Sequence, residues 1–221
     1  MEKSFVILKP DGTCRRTVSA IVLKALIDMG YSVKAFQEIQ VSKALAEQHY
    51  GVHKEKPFFP WLVQFITASP VLAIIFEGPN VIQGIRNALG ATFVQKASDE
   101  SLRGRYGIWA GINLAHASDG IETATQETDL WTGQSDLAIS EDAKERASQY
   151  VDRYIGGAID YTMEIRNVVR GAIKAHDTSD DVMKQLIDLL GKDASGIDQK
   201  SIQNLAEAIF AFIEEEVEKS D

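Results

Sequence analysis

Ser4-Phe-Val-Ile-Leu-Lys9-Pro10-Asp11-Gly12 opens the chain with an unbroken apolar run that stops at a turn. Consecutive large apolar residues bounded by Pro-Asp-Gly read as a strand buried on both faces, with Pro10-Asp11-Gly12 as the turn that ends it. Beyond it, Val18, Ile21, Val22, Ala25 and Leu26 recur at helical spacing over residues 17–29, and Gly30 stops the helix. Residues 31–41 alternate like a strand. Residues 43–50 and 60–68 read as short helices around the turn at Lys56-Pro57. A second buried strand follows at 71–76, then a helix over 81–89 ending at Gly90. Residues 91–107 form a polar loop with one helical turn, 111–116 a short strand, and 120–130 a helix. The order strand–helix–strand–strand–helix–strand predicts an α+β fold, a ferredoxin-like βαββαβ sandwich with an antiparallel sheet.

The composition changes after Trp131-Thr-Gly133. Ser140 is placed to cap a helix beginning Glu-Asp-Ala. Ala143, Ala147, Tyr150, Tyr154, Ala158, Tyr161, Ile165, Val168 and Ala172 then follow at spacings of four or three, a heptad-like seam that Gly156-Gly157 interrupts. Further helices are expected near 179–190 and 198–219. The seam is expected to pack within this all-α appendix, with pairing to a second chain as the lesser alternative. Two units result: 1–133, and an acidic helical extension over 134–221.

The 221 residues carry 45% hydrophobic and 25% charged side chains, an ordinary globular balance. The net charge of −9 is unevenly placed. The first 132 residues hold 13 Lys/Arg against 13 Asp/Glu, and the rest hold 10 against 19. Phosphates would be repelled by such an extension, which argues against nucleic acid as a partner. A single cysteine, Cys14, excludes an internal disulfide framework and a cysteine-built metal site. No apolar run approaches transmembrane length, and the N-terminus lacks the pattern of a secretory signal, so a cytoplasmic location is expected and a membrane partner is not.

Three clusters carry possible chemistry. Lys9 stands at a strand end beside a turn, where an ammonium can reach a phosphate. Arg86, Thr92, Arg103 and Arg105 come from separate segments whose guanidinium groups could converge on a polyphosphate. Asn113-Leu-Ala-His116-Ala-Ser118-Asp119-Gly120 surrounds one histidine with an amide, a hydroxyl and a carboxylate, with Glu127 further on. An imidazole that attacks an electrophile needs such partners to fix its tautomer and hold the ring. His49, His53 and His176 lack comparable neighbours in the sequence and read as structural histidines. No spacing among the four resembles zinc ligation, and no protein-built metal site is expected.

Taken together these residues resemble the nucleoside diphosphate kinase family over about residues 3–132. The family signature Asn-x-x-His-(Gly/Ala)-Ser-Asp-small is matched in full by residues 113–120. Phe5-Val-Ile-Leu-Lys9-Pro10-Asp11-Gly12, Gln48-His49-Tyr50, Lys56-Pro57-Phe58-Phe59, Phe76-Glu77-Gly78 and Arg86 through Thr92 are also typical.

The resemblance implies ping-pong transfer of the γ-phosphate from a nucleoside triphosphate to a nucleoside diphosphate through a phosphohistidine on His116. It implies that Lys9 binds the transferring phosphate and the ribose, and that Tyr50 packs beside the histidine and helps to orient Lys9. Phe58 would stack on the base, and Arg86, Thr92 and Arg103 would hold phosphates. Asn113 would bind the sugar 3′-hydroxyl, while Ser118 and Glu127 support the imidazole. It further implies Mg2+ held mainly by nucleotide phosphates, and a homo-oligomer, typically a hexamer. A nucleotide-binding scaffold that acts through its helices, with weak or no kinase activity, is the alternative.

The chain departs from the family's pattern at four places. Residues 93–102, a loop that commonly helps subunits meet, lack the usual prolines. Ala110 stands where a larger aliphatic residue usually closes the base slot. Arg16-Thr17 stand in place of glycine followed by an apolar residue, and Ile112 replaces a common arginine.

Overall fold

The computed structural model describes residues 1–157 and 159–219. Strands β1 (Glu2–Leu8), β2 (Ser32–Ile39), β3 (Val71–Gly78) and β4 (Ala115–Ala117) form one sheet in the order β2-β3-β1-β4. Every neighbouring pair is antiparallel, with Phe5 opposite Ile75 and Ile7 opposite His116. Successive side chains point to opposite faces of a strand, so the two apolar central strands supply two cores. Val6, Leu8, Leu72, Ile74 and Phe76 pack under α2 (Arg16–Asp28) and α5 (Val81–Leu89). Phe5, Ile7, Ala73 and Ile75 pack under α3 (Lys43–His49), α4 (Phe59–Thr67) and α7 (Ile121–Gln134). The expected βαββαβ sandwich is present, with α3, α4 and α7 as its second cover.

Two local expectations are corrected. Pro10-Asp11-Gly12 is not a simple turn but the start of the helical turn α1 (Pro10–Thr13). Proline suits a first helical position because its missing N–H would be unpaired there anyway. The strand expected at 111–116 is only Ala115–Ala117, because Ala110 (φ 43°) and Leu114 (φ 78°) adopt left-handed backbone that a strand cannot contain. Trp109 and Ile112 instead close a small bridged turn. The polar loop contains a 3-10 turn over Val94–Lys96 and the short helix α6 (Leu102–Tyr106).

After α7 the chain forms α8 (Ala143–Tyr154), α9 (Thr162–Ala175), α10 (Asp180–Gly191) and α11 (Gln199–Glu218). The capping expectation for Ser140 is corrected: α8 starts at Ala143, with Asp142 preceding it. The Ser140 hydroxyl oxygen accepts from Arg146 Nη2 at 3.1 Å, and the Ser140 backbone N–H donates to Lys34 of β2 at 3.0 Å.

The seam also packs differently from the expectation. Its first half, Ala143, Ala147 and Tyr150, joins the core shared by α2 and the sheet. Its second half, Ile165, Val168 and Ala172, packs with α10, α11 and a strip of the first unit that includes Cys14, Phe65, Ala110 and Ile112. Ala158, which shares the spacing, lies outside the described residues. The period identifies an apolar stripe, but the break at Gly156-Gly157 lets its halves face different partners.

Buried polar bonds fix the extension in place. Arg16 donates to Ser195 O at 2.9 Å, to the Tyr150 hydroxyl at 3.0 Å and to Glu38 at 2.8 Å. Asp193 accepts from the Thr17 backbone N–H at 2.8 Å and from its hydroxyl at 3.1 Å. Arg15 reaches Thr162 at 2.6 Å. Among the described residues no helix is long and apolar enough to cross a membrane.

Candidate active site

His116 lies on β4, the short strand beside β1, and its ring is 24% exposed to a cavity of about 860 Å³. Its Nε2 is 2.6 Å from Glu127 Oε1, contributed by α7. Glu127 Oε2 accepts from the Ser118 hydroxyl at 2.6 Å, and Ser118 Oγ accepts from the Phe5 backbone N–H at 3.0 Å. A carboxylate can only accept at neutral pH, so the imidazole proton sits on Nε2. Among the described residues nothing bonds Nδ1, which keeps its lone pair. The chain Phe5–Ser118–Glu127–His116 ties the ring to the central strand.

A second knot sets the floor. Lys9, at the end of β1, donates through Nζ to Asn113 Oδ1 at 2.8 Å and to Gly111 O at 3.5 Å. Asn113 Nδ2 donates to Thr92 O at 2.7 Å. Between them Leu114 holds its left-handed backbone because its N–H meets Asp11 Oδ2 at 2.9 Å and its carbonyl accepts from Lys9 N at 2.9 Å. Gly12 lets the two segments approach closely: a Cβ would lie 3.0 Å from Leu114 Cδ1 and 3.2 Å from its carbonyl oxygen, so Leu114 would have to give way slightly. Burial lowers the Lys9 ammonium to about 8, opposed by the Asp11 carboxylate and assisted by Arg103. Burial likewise raises Asp11, against the pull of Arg15 and Lys9.

Arg86, Thr92 and Arg103 all line the cavity. Arg103 is buried and braces the walls through Gly90 O at 2.8 Å and Ala115 O at 2.7 Å. Its Nε has no hydrogen-bond partner among the described residues. Burial, aided by Arg86, lowers its guanidinium to about 10. Arg105 does not join this group; its guanidinium lies over the Tyr106 ring, 5.1 Å from the centroid. From the extension, Arg166 donates to Gly107 O at 2.6 Å and Gly104 O at 2.7 Å. It thereby satisfies carbonyls at the C-terminal end of α6, the helix that carries Arg103.

The cavity's apolar side is made by Phe58, Trp61, Leu62, Phe93 and Ala110, with Phe58 41% and Phe93 54% exposed. Tyr50 also lines it, but Lys9 makes its bonds to Asn113 and Gly111, and the buried Tyr50 hydroxyl has no partner among the described residues. That differs from the expectation that Tyr50 orients Lys9.

His49, read from sequence as a structural histidine, belongs to the site. Its ring meets that of His116 edge-on, with centroids 4.7 Å apart, and meets Tyr50 at 4.6 Å. Its Nδ1 accepts from the Trp131 indole N–H at 3.3 Å, and burial, reinforced by His116, holds its pKa well below the usual range. Ligand atoms of His49, His116 and Glu127 lie within 4.8 Å of one another, a grouping invisible in the spacing. His116 and Ser118 are bonded to Glu127 and His49 to Trp131, while His49 meets His116 only ring to ring and stands 4.0 Å from Glu127. The sequence signal for His49 was its place in Gln48-His49-Tyr50, not its neighbours' chemistry.

A family model described as nucleoside diphosphate kinase matches residues 2–137. A nucleoside diphosphate kinase of Trichormus variabilis is 46% identical over 137 residues, covering 62% of this chain and 91% of that protein. One from Microcystis aeruginosa is 44% identical over 138 residues, covering 62% and 92%. Among solved structures, a halophilic nucleoside diphosphate kinase from Halobacterium salinarum in complex with CDP aligns with a TM-score of 0.58 at 34% identity, over 66% of this chain and 97% of that one. The Aquifex aeolicus nucleoside diphosphate kinase aligns at 0.55 and 33%, over 58% and 93%.

Proposed function

The chain belongs to the nucleoside diphosphate kinase family and is a phosphotransferase acting on nucleotides, and we propose that it works by a ping-pong route through His116. The observation that carries this route is the bond between His116 Nε2 and Glu127, which leaves the Nδ1 lone pair available beside the cavity. Nδ1 attacks the γ-phosphorus of a nucleoside triphosphate. The Nδ1–P bond forms, the bond from phosphorus to the β–γ bridging oxygen breaks, and the nucleoside diphosphate leaves. Nε2 keeps its proton, and Glu127 offsets the positive charge that the ring acquires. A terminal β-oxygen of a second nucleoside diphosphate then attacks phosphorus, and the pair of electrons returns to Nδ1.

Little covalent chemistry falls to other groups, so placement and charge do the rest. Lys9, Arg86, Thr92 and Arg103, which all line the cavity, would hold the phosphates. Asn113 would take the sugar 3′-hydroxyl while steadying Lys9. Phe58, exposed over the apolar side of the cavity, would stack on the base. Tyr50, Ser118 and Glu127 would shape and fix the surroundings of His116. Residues 1–133 would carry the chemistry and 134–221 would brace it.

Mg2+ fits the residues present as an ion carried by the nucleotide. The cavity offers Asp119, an exposed carboxylate held below its usual range by a hydrogen bond from Thr123. One such ligand suits magnesium, which keeps several waters and binds through one or two carboxylates plus phosphates. When bound, it neutralises charge on the β- and γ-phosphate oxygens. We also place the enzyme in the cytoplasm, where the single buried thiol of Cys14 stays reduced. Self-association would use surfaces other than the β2 edge, because α8 and Ser140 cover it.

Incubation with γ-labelled ATP and magnesium tests the route. The wild-type chain is expected to acquire acid-labile, base-stable phosphate that GDP or UDP removes. His116→Ala is expected to lose both the label and the exchange. Full exchange by that variant would overturn the route, and an unlabelled wild-type protein would leave the scaffold alternative.

A further inference from the structure

One wall of the cavity comes from the C-terminal end of α11, outside the segment that matches the kinase family. Phe212, Glu215, Glu216 and Lys219 line the same cavity as Phe58, Trp61 and His116. This end of α11 is anchored. The Trp61 indole N–H donates to Ala208 O at 2.8 Å, and the Trp61 ring lies 5.1 Å from the rings of both Phe212 and Phe65. Trp61 is three residues from Phe58, so α11 is fixed at the aromatic side of the cavity rather than at the phosphate side formed by Lys9, Arg86 and Arg103.

The residues placed there run against helix stability. Glu214, Glu215 and Glu216 are consecutive carboxylates near a helix C-terminus, where the aligned peptide dipoles disfavour negative charge. Lys219 meets two of them, at 2.8 Å from Glu215 and 3.4 Å from Glu216. The group keeps contact with solvent, with Glu215 33% and Glu216 29% exposed. It presents carboxylate acceptors beside an ammonium donor, next to an aromatic surface suited to a flat ring.

We propose that Glu215, Glu216 and Lys219 form a base-selecting edge that favours guanine nucleotides. This rests on the reading of the cavity as a nucleotide site. Guanine offers two adjacent N–H donors, at N1 and N2, beside the O6 acceptor. A carboxylate can accept both donors together while the ammonium donates to O6. Uracil flanks its single N–H with two carbonyls, so one of its oxygens would face a carboxylate. Cytosine and adenine each pair an amino group with a ring nitrogen acceptor and gain only part of the contact. A polar edge that a ligand leaves unmatched is what discriminates between such ligands. The selecting groups lie on the same chain as the catalytic histidine, so the preference would not depend on a second copy.

Calorimetric titration of the full chain with magnesium and GDP or UDP tests this directly. The wild-type protein is expected to bind GDP at least about tenfold more tightly. Glu215→Gln combined with Glu216→Gln is expected to bring the two affinities within about twofold, since an amide cannot accept both N–H groups as a carboxylate does. Glu215→Lys with Glu216→Lys, which keeps the site occupied by long side chains, is expected to place UDP ahead. Equal affinities in the wild type, or an unchanged ratio in both variants, would overturn the proposal. Labelling from ATP is scored separately. A labelled enzyme that binds GDP and UDP equally refutes only the selecting edge. A selective protein that never takes up label keeps the edge and refutes the phosphohistidine route.

Discussion

Contacts inside residues 2–137 and contacts across the join to α8–α11 have different origins. Inside, His116 meets Glu127, Lys9 meets Asn113 and Asp11 meets Leu114. All of these except Glu127 belong to the pieces of sequence typical of the family, and the proposed phosphoryl transfer would use them. Across the join the contacts fall on three of the four departures from that pattern. Arg16 and Thr17 bind Ser195, Tyr150 and Asp193, while Ile112 and Ala110 are buried against the helical extension. The positions that look atypical for a nucleoside diphosphate kinase alone are ordinary interface residues once the extension is present. The extension is thus built into the molecule, and it braces parts of the candidate site: Arg166 of α9 holds the end of α6, and α11 lines the cavity.

Removing Arg16 should break this arrangement most severely. Its side chain is almost fully buried, and its loss removes the ion-pair partner of Glu38 and the donor to Ser195 O, while the Tyr150 hydroxyl keeps its bond to Ser19. Because Glu38 is one-third exposed and can recover some hydration, Arg16→Met is expected to cost about 3 kcal/mol, the low end for breaking a buried pair. Urea titration should show one shifted transition. Two separate transitions, with the sheet unfolding independently of α8–α11, would show that the two regions are distinct after all.

Glu127→Gln probes the other side of the comparison. It keeps the shape and one acceptor but removes the charge that offsets the ring in the transition state. Turnover is expected to fall about 10²-fold with little change in stability. Near-normal turnover would mean that Glu127 positions the ring and does nothing more.

The smallest effect is a pH dependence. Lys9 is charged below about 8 and neutral above it, because burial lowers its ammonium from the ordinary 10.5. The charged form attracts phosphate, so kcat/KM should hold below about pH 8 and then decline, by about tenfold per unit at most for a single ionisation. A profile flat to pH 10 would remove Lys9 from phosphate binding.

Much of this was legible in the sequence, and the misses share a cause. Residues 81–89 form a helix as the pattern indicated, and the first helix and the central strands shift by only a few residues. Period and punctuation suffice for such elements. The strand at 111–116 was overextended because no local signal reveals that Leu114 is held left-handed by Asp11 and Lys9, which are more than a hundred residues away in sequence. His49 was passed over for the same reason: its neighbour His116 is brought to it by the sheet. In the seam, spacing revealed a stripe but not what would cover it, and its two halves went to separate cores.

Cys14 gives the docking of the extension a chemical consequence. Its side chain is completely buried in the core formed with α9–α11, its Sγ donates to Leu190 O of α10 at 3.7 Å, and burial pushes its thiol up to about 12. Oxidants and alkylating agents react with an accessible thiolate, and this thiol is neither accessible nor ionised at neutral pH. While α10 stays seated, the enzyme is shielded from oxidative cross-linking and damage at its single sulfhydryl. Each lifting of α10 would expose that group, so thiol reactivity acts as a clock for how often the cover opens.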